Sequence, residues 1–191
     1  MPRWKRAAIW TGLACAAGLL LSGCFVRSLH PFLAISDAVF DPALVGTWQS
    51  QDENGKGKAS ITFTRAGETG YELEYRDPEV AKVSRYKVNL GVIGKNRCLD
   101  IAPLPEKDLD DHYVAAHSLW RLALKGDTLT LEQLDYDWLK ALLTAQPGEL
   151  DHEVVEGDIV LTASTEDLQR FILRHADDPK AFSARTPWKK K

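Results

Sequence analysis

Between Thr47 and Ala163, apolar residues recur at every second position in short runs separated by glycine-bearing turns. Ile61 and Phe63 alternate with Thr62 and Thr64, and Tyr71, Leu73 and Tyr75 alternate with Glu72, Glu74 and Arg76. Tyr86, Val88, Leu90 and Val92 form a longer stripe. Trp120, Leu122 and Leu124 are followed, across Gly126-Asp127, by Leu129 and Leu131. Successive side chains of a strand point to opposite faces, so a period of two marks a strand with one buried face. The separators Asn54-Gly55, Gly67–Gly70, Gly94-Lys95-Asn96, Gly126-Asp127 and Gly157-Asp158 place glycine where tight hairpins need a positive φ. Hairpins join antiparallel neighbours, whereas parallel strands need a crossover of about a dozen residues or more. The chain is therefore read as a mainly β (α+β) protein built on an antiparallel meander.

Two helices are predicted beside the strands. Asp135–Ala145, inserted before the last hairpin, carries Trp138, Leu139, Leu142 and Leu143 at helical spacing and stops at Pro147-Gly148. Ser164–Ala176 is the C-terminal helix. It starts on a polar cap with Glu166 and Asp167 in its first turn, lines up Leu168, Phe171, Ile172 and His175, and ends at Arg174 and His175. One β-rich domain is expected over residues 41–182. Residues 183–191, rich in lysine, read as a disordered basic tail.

The first 23 residues have another character. Arg3, Lys5 and Arg6 precede an almost wholly apolar stretch, Ala7–Leu21, of 15 residues. That is too short for a helix across the hydrocarbon core, which takes about 20 residues. Leu21-Ser22-Gly23-Cys24 closes the stretch and resembles the lipobox of bacterial lipoprotein signal peptides. The resemblance implies cleavage between Gly23 and Cys24 and acylation of Cys24, so that the membrane is a partner through the lipidated cysteine. Phe25, in place of Asp, implies the outer membrane, with the domain facing the periplasm. Two or three acyl chains anchor stably where one holds only marginally.

Cleavage would remove three basic and no acidic residues, taking the formal charge from −3 to −6. An acidic chain in that compartment is a poor nucleic-acid binder. Cys15 would leave with the leader and Cys24 would carry lipid, so Cys98 remains without a disulfide partner. Residues 24–40 lack the Gly/Ser composition of a flexible stalk. Phe25, Val26, Leu29, Phe32, Leu33, Ile35, Val39 and Phe40 make this short tether apolar, and Pro31 and Pro42 interrupt any helix. It is expected to pack on the domain or to lie near the lipid.

Phe40 to Trp48, with Gly46-Thr47-Trp48 opening the first strand, is similar to the start of lipocalin-like domains. The resemblance implies an eight-stranded lipocalin-like barrel whose end is closed by Trp48, with the Ser164–Ala176 helix packed outside after the last strand. Because the Asp135–Ala145 helix falls before the final hairpin, an open or partly closed sheet capped by helices is the alternative. The string from Ser28-Leu29-His30-Pro31 to Trp48 also resembles uncharacterised bacterial lipoproteins.

Candidate sites are few. Asp108, Asp110, Asp111 and His112 could bind a metal or orient a general base, but they follow Pro103 and Pro105 and lack EF-hand or His-Glu-x-x-His spacing, so a solvated acidic loop is the simpler reading. Asp100, inside Leu99-Asp100-Ile101-Ala102, points away from Leu99 and Ile101 by strand alternation. With His117 it would anchor a ligand if that face lined a barrel interior. Trp48, Tyr86 and Trp120 complete the candidate ligand-binding set. Cys98 reads as an inert buried thiol, and neither a Gly-x-Ser-x-Gly elbow nor a phosphate loop is present. No catalytic residue, metal or cofactor is assigned. The favoured role is a non-catalytic accessory or scaffold domain docking an envelope protein. A lipocalin-like carrier of a lipid or other hydrophobic small molecule is the alternative, and an enzyme ranks third.

Overall fold

A computed structural model describes residues 25–51, 57–80, 82–105, 113–182 and 186–191. The leader with Gly23 and Cys24, the Asn54-Gly55 turn and the Asp108–His112 cluster lie outside the described residues. Eight antiparallel strands form a closed barrel. In chain order they are β2 (Gly46–Gln51), β3 (Gly57–Ala66), β4 (Gly70–Arg76), β5 (Val83–Ile93), β6 (Asn96–Pro103), β7 (Ser118–Lys125), β8 (Thr128–Gln133) and β11 (Thr186–Lys190). Outside the barrel lies a smaller sheet of β1 (Arg27–Ser28), β10 (Asp158–Leu161) and β9 (His152–Val155) in the order β1-β10-β9. Two helices, α1 (Tyr136–Ala145) and α2 (Thr165–His175), complete the body.

Register follows from the alternation. Leu73 faces Tyr86, Val88 faces Ile101, Leu90 faces Leu99, Leu99 faces Trp120, and Leu122 faces Leu131. Cross-strand partners share a face, so each apolar stripe turns inward together. Gly94, at φ +62°, and Gly126, at φ +55°, make the two-residue turns that hold β5–β6 and β7–β8 in this register.

The segment 183–191 departs from the expected disordered tail. Within it, Thr186–Lys190 is β11, pairing with β8 on one side and β2 on the other: Trp188 lies opposite Leu129 and Ser50. Trp188 is 1% exposed. A sheet of the other seven strands would leave two unpaired edges, and β11 satisfies both at once. The folded body accordingly runs beyond residues 41–182 in both directions, from Phe25 to Lys191. The α2 helix is likewise not the last element, because β11 follows it.

Two separate cores result. The barrel core holds Trp48, Phe63, Tyr71, Leu90, Leu129 and Trp188 among others. The outer core packs Leu139 and Leu143 of α1, Leu168, Phe171 and Ile172 of α2, and Val26, Phe32 and Leu33 against Cys98 and Leu119 on the outward face of β6 and β7. Both helices are capped as their sequences require: Asp135 accepts from the Trp138 N–H at 2.8 Å, and Ser164 accepts from the Asp167 N–H at 3.2 Å. Trp48 belongs to the barrel core and α2 to the outer one, so the helix packs on the barrel wall rather than beneath the Trp48 end.

Trp48, fully buried, fills one end of the barrel, and its indole N–H donates to the Leu44 carbonyl at 2.9 Å. The turn Pro42–Leu44 lies under it, started by Asp41, whose carboxylate accepts from the Ala43 N–H. Arg97 pairs with Asp41 at 2.5 Å, and the Tyr71 hydroxyl donates to the Asp41 carbonyl. Partial burial of Asp41 opposes its charge, but the Ala43 N–H and the Arg97 guanidinium outweigh it and hold the carboxyl below its ordinary 3.8. Lys190 completes this end, with its ammonium 5.0 Å from the centre of the Trp48 ring and donating to the Ala43 carbonyl.

Trp188→Ala should cost about 3–5 kcal/mol of unfolding free energy, read from urea denaturation, because it empties a packed site in the closing strand. A lowered folded-state pKa stabilises above the unfolded value and loses its effect as pH falls through the folded value. The Tm gap between the native chain and Asp41→Asn should therefore be constant well above pH 3.8 and shrink below it.

Candidate ligand cavity

The barrel is filled at the Trp48 end and hollow at the other. Eight strands enclose an interior that side chains can fill or that can hold one small ligand. Here a cavity of about 370 Å³ lies between the ends of β4, β6 and β8 and the starts of β5, β7 and β11. Its walls are Ile61, Leu73, Leu99, Ile101 and Leu131, all inward residues of the alternating stripes. Tyr75, Tyr86, Trp120 and Trp188 add aromatic faces, and Phe25, Arg27, Pro103, Ala116 and Ser118 form the rim.

Polar groups around it are mostly engaged. The Ser118 hydroxyl donates to the Val26 carbonyl at 3.1 Å. Arg27 pairs with Asp158 at 2.6 Å. The Tyr75 hydroxyl points to Asp77 at 3.4 Å, and burial first, then the Asp77 charge, push its pKa up to about 12, so it stays a neutral phenol. The Trp188 indole N–H is buried without a hydrogen-bond partner. A cavity with this lining favours an apolar guest with few polar atoms.

Of the five candidate ligand-binding residues, the structure places two in the cavity wall, Tyr86 and Trp120. Trp48 lies in the same barrel but forms its packed end. Asp100 and His117 are brought together, with His117 Nδ1 2.9 Å from the Asp100 carboxylate, but away from the cavity. Asp100 points outward from the barrel and is nevertheless 1% exposed, because residues 26–33 lie over it. Its second partner is the Phe32 backbone N–H at 3.0 Å. Asp100 thus faces neither interior nor solvent: it tethers the segment after Cys24 to the barrel wall.

That segment is tied down along its length. Ser28 and His117 exchange backbone hydrogen bonds of 2.9 and 2.8 Å, β1 runs parallel to β10, and Gln169 of α2 donates to the Phe32 carbonyl. Gly91 of β5 is needed beneath it, since a Cβ there would lie 2.9 Å from the Leu33 side chain and 3.1 Å from the Asp37 carbonyl. Cys98 is fully buried in the same layer, and burial pushes its thiol up to about 12, so it is not a nucleophile at neutral pH. A second histidine–carboxylate pair, His175 and Glu149 at 3.1 Å, also lies away from the cavity. Among the described residues, no group of three or more His, Cys, Asp or Glu side chains is placed to hold a metal ion.

The wall residues absent from the sequence-level set are the inward aliphatics, the rim and Trp188. The aliphatics could have been found from their shared parity with Tyr86 and Trp120. Comparison with known proteins returns no family model, no characterised protein and no solved structure that matches this chain.

Asp100→Ala orphans the Phe32 N–H and one side of the His117 ring, so it should cost about 1–3 kcal/mol. Hydrogen exchange should accelerate at residues 26–33 while the amides of β3 and β4 keep their protection.

Proposed function

We propose that this protein is a lipid-anchored, non-catalytic envelope protein whose barrel binds a lipid or another hydrophobic small molecule. The observation that carries this reading is the apolar cavity of about 370 Å³, open at one end, in a closed eight-stranded barrel. It falls in the range of about 300–1,000 Å³ typical of small-molecule sites. A domain made only to dock a partner gains nothing from a hollow end. Each side chain missing from a barrel interior forgoes dispersion contacts and burial, so the void has a stability cost that ligand binding would offset. The lipobox at Leu21–Cys24 supports acylation and an outer-membrane, periplasm-facing location.

The accessory reading draws on a different feature. Strand β9 is the edge of the outer sheet, and its Val154 and Val155 are 63% and 55% exposed. An edge strand with exposed valines can accept an extended segment of another protein.

Native mass spectrometry of the chain beginning at Phe25, purified from a bacterial extract without detergent, separates the two. The carrier reading expects a stoichiometric non-covalent adduct in the lipid mass range, released on denaturation. It also expects Leu73→Trp, which fills the cavity from its wall, to lose the adduct while keeping its Tm. A bare mass at full occupancy for the native chain would overturn the carrier reading.

A further inference from the structure

The anchor and the cavity meet at one place. Phe25, the residue after Cys24, belongs to the cavity rim, and its ring stacks on Trp120 with centroids 6.2 Å apart. It is held there by a bridge to Asp135, while Val26 is buried in the outer core. The described chain is tied to the barrel wall near its start, by Ser28 to His117 and by Phe32 to Asp100.

The same barrel end carries exposed apolar side chains on its loops. Val80 lies between β4 and β5, and Tyr113 and Val114 lie between β6 and β7, with exposures of 43%, 38% and 66%. Tyr75, Tyr86, Pro103 and Ser118, on the strands flanking these residues, line the cavity. The Trp48 end presents the Asp41–Arg97 pair and Lys190, with Val39 and Val92 also exposed there. The mouth is the end that adjoins Phe25, the residue after Cys24 in the sequence.

We infer that the mouth of the barrel is its membrane-facing surface, and that an acyl chain of a bilayer lipid passes through it into the cavity. The inference rests on the proposed acylation of Cys24 and deepens the carrier reading by naming the guest and its route. An acyl chain drawn directly from the bilayer crosses no water, so none of its methylenes is exposed on the way. Apolar rim residues seated at the headgroup boundary would lower the barrier further.

The test uses the full chain, purified from bacterial membranes and reconstituted in phosphatidylethanolamine–phosphatidylglycerol vesicles, with and without lipids brominated on their acyl chains. Intact mass first records the state of Cys24. Among the described tryptophans, Trp120 and Trp188 line the cavity, whereas Trp48 and Trp138 do not. Brominated lipid should quench the tryptophan emission. Trp120→Phe should remove about half of the quenchable signal, and Trp138→Phe should leave it intact. Val114→Asp, on an exposed loop where folding is not at stake, should lower the quenching while the protein stays vesicle-bound. Equal effects of Trp120→Phe and Trp138→Phe, or no quenching with an acylated Cys24, would overturn the inference and leave the anchor standing. Insensitivity to Val114→Asp would overturn the mouth as the contact surface. An unmodified Cys24 would overturn the anchor itself, and the inference with it. Quenching that is absent in vesicles, with a stoichiometric lipid still bound in native spectra, would place the guest's source outside the bilayer.

Discussion

The pairing of β11 with both β8 and β2 is the constraint on which the rest of the structure depends. It converts a curved sheet into a tube, and a tube has an inside whose volume is set by strand number before any side chain is chosen. What remains to the sequence is how to fill that volume. At one end it uses Trp48, Phe63, Tyr71, Leu90 and Leu129, large residues that meet across the axis. At the other it places Ile61, Leu73, Ile101 and Leu131 on the walls with nothing between them. One barrel is thus a packed core and a container, divided along its axis.

Strand β6 joins this barrel to everything outside it. Its inward residues Leu99 and Ile101 line the cavity, and its outward residues Cys98, Asp100 and Ala102 are buried under the outer layer. A buried carboxylate is tolerable when its oxygens have fixed partners, and Asp100 has the Phe32 N–H and His117. The polar residue in an apolar strand therefore positions the segment that follows Cys24. The pairing of His with Asp, which elsewhere orients a catalytic base, here holds a strap in place.

Much of the fold was legible because its strands bury one face. The stripes Tyr71–Tyr75, Tyr86–Leu90, Trp120–Leu124 and Leu129–Leu131 turn inward as alternation requires, whereas Val92, expected to continue the second, is exposed beyond the packed end; the glycine turns fall between their strands. Both helices carried readable caps in Asp135 and Ser164. Strand β11 was not legible. Of Pro187, Trp188, Lys189 and Lys190, only Trp188 is buried, and a single apolar residue among lysines has no period to detect. For the candidate site, Tyr86 and Trp120 were legible as inward aromatics, but Asp100 was not placeable. Its partner at Phe32 is a backbone group 68 residues away, and no local pattern encodes that contact. The uninterrupted burial of Cys98–Ala102 marks a strand covered on both faces, and that signal was present in the composition of the run.

The seam of the barrel joins Trp48 to Lys190, residues near opposite ends of the described chain. Such a contact closes a very long loop, so its entropic cost falls late and no local turn can nucleate it. Until β11 arrives, β2 and β8 each present an unpaired edge, and strands in that state pair readily with other chains. Contact order makes the meeting of β2 with β11 the pairing expected to form last. Closure by β11 covers both edges at once, so the same pairing that makes the cavity also removes the surfaces most open to association with other chains.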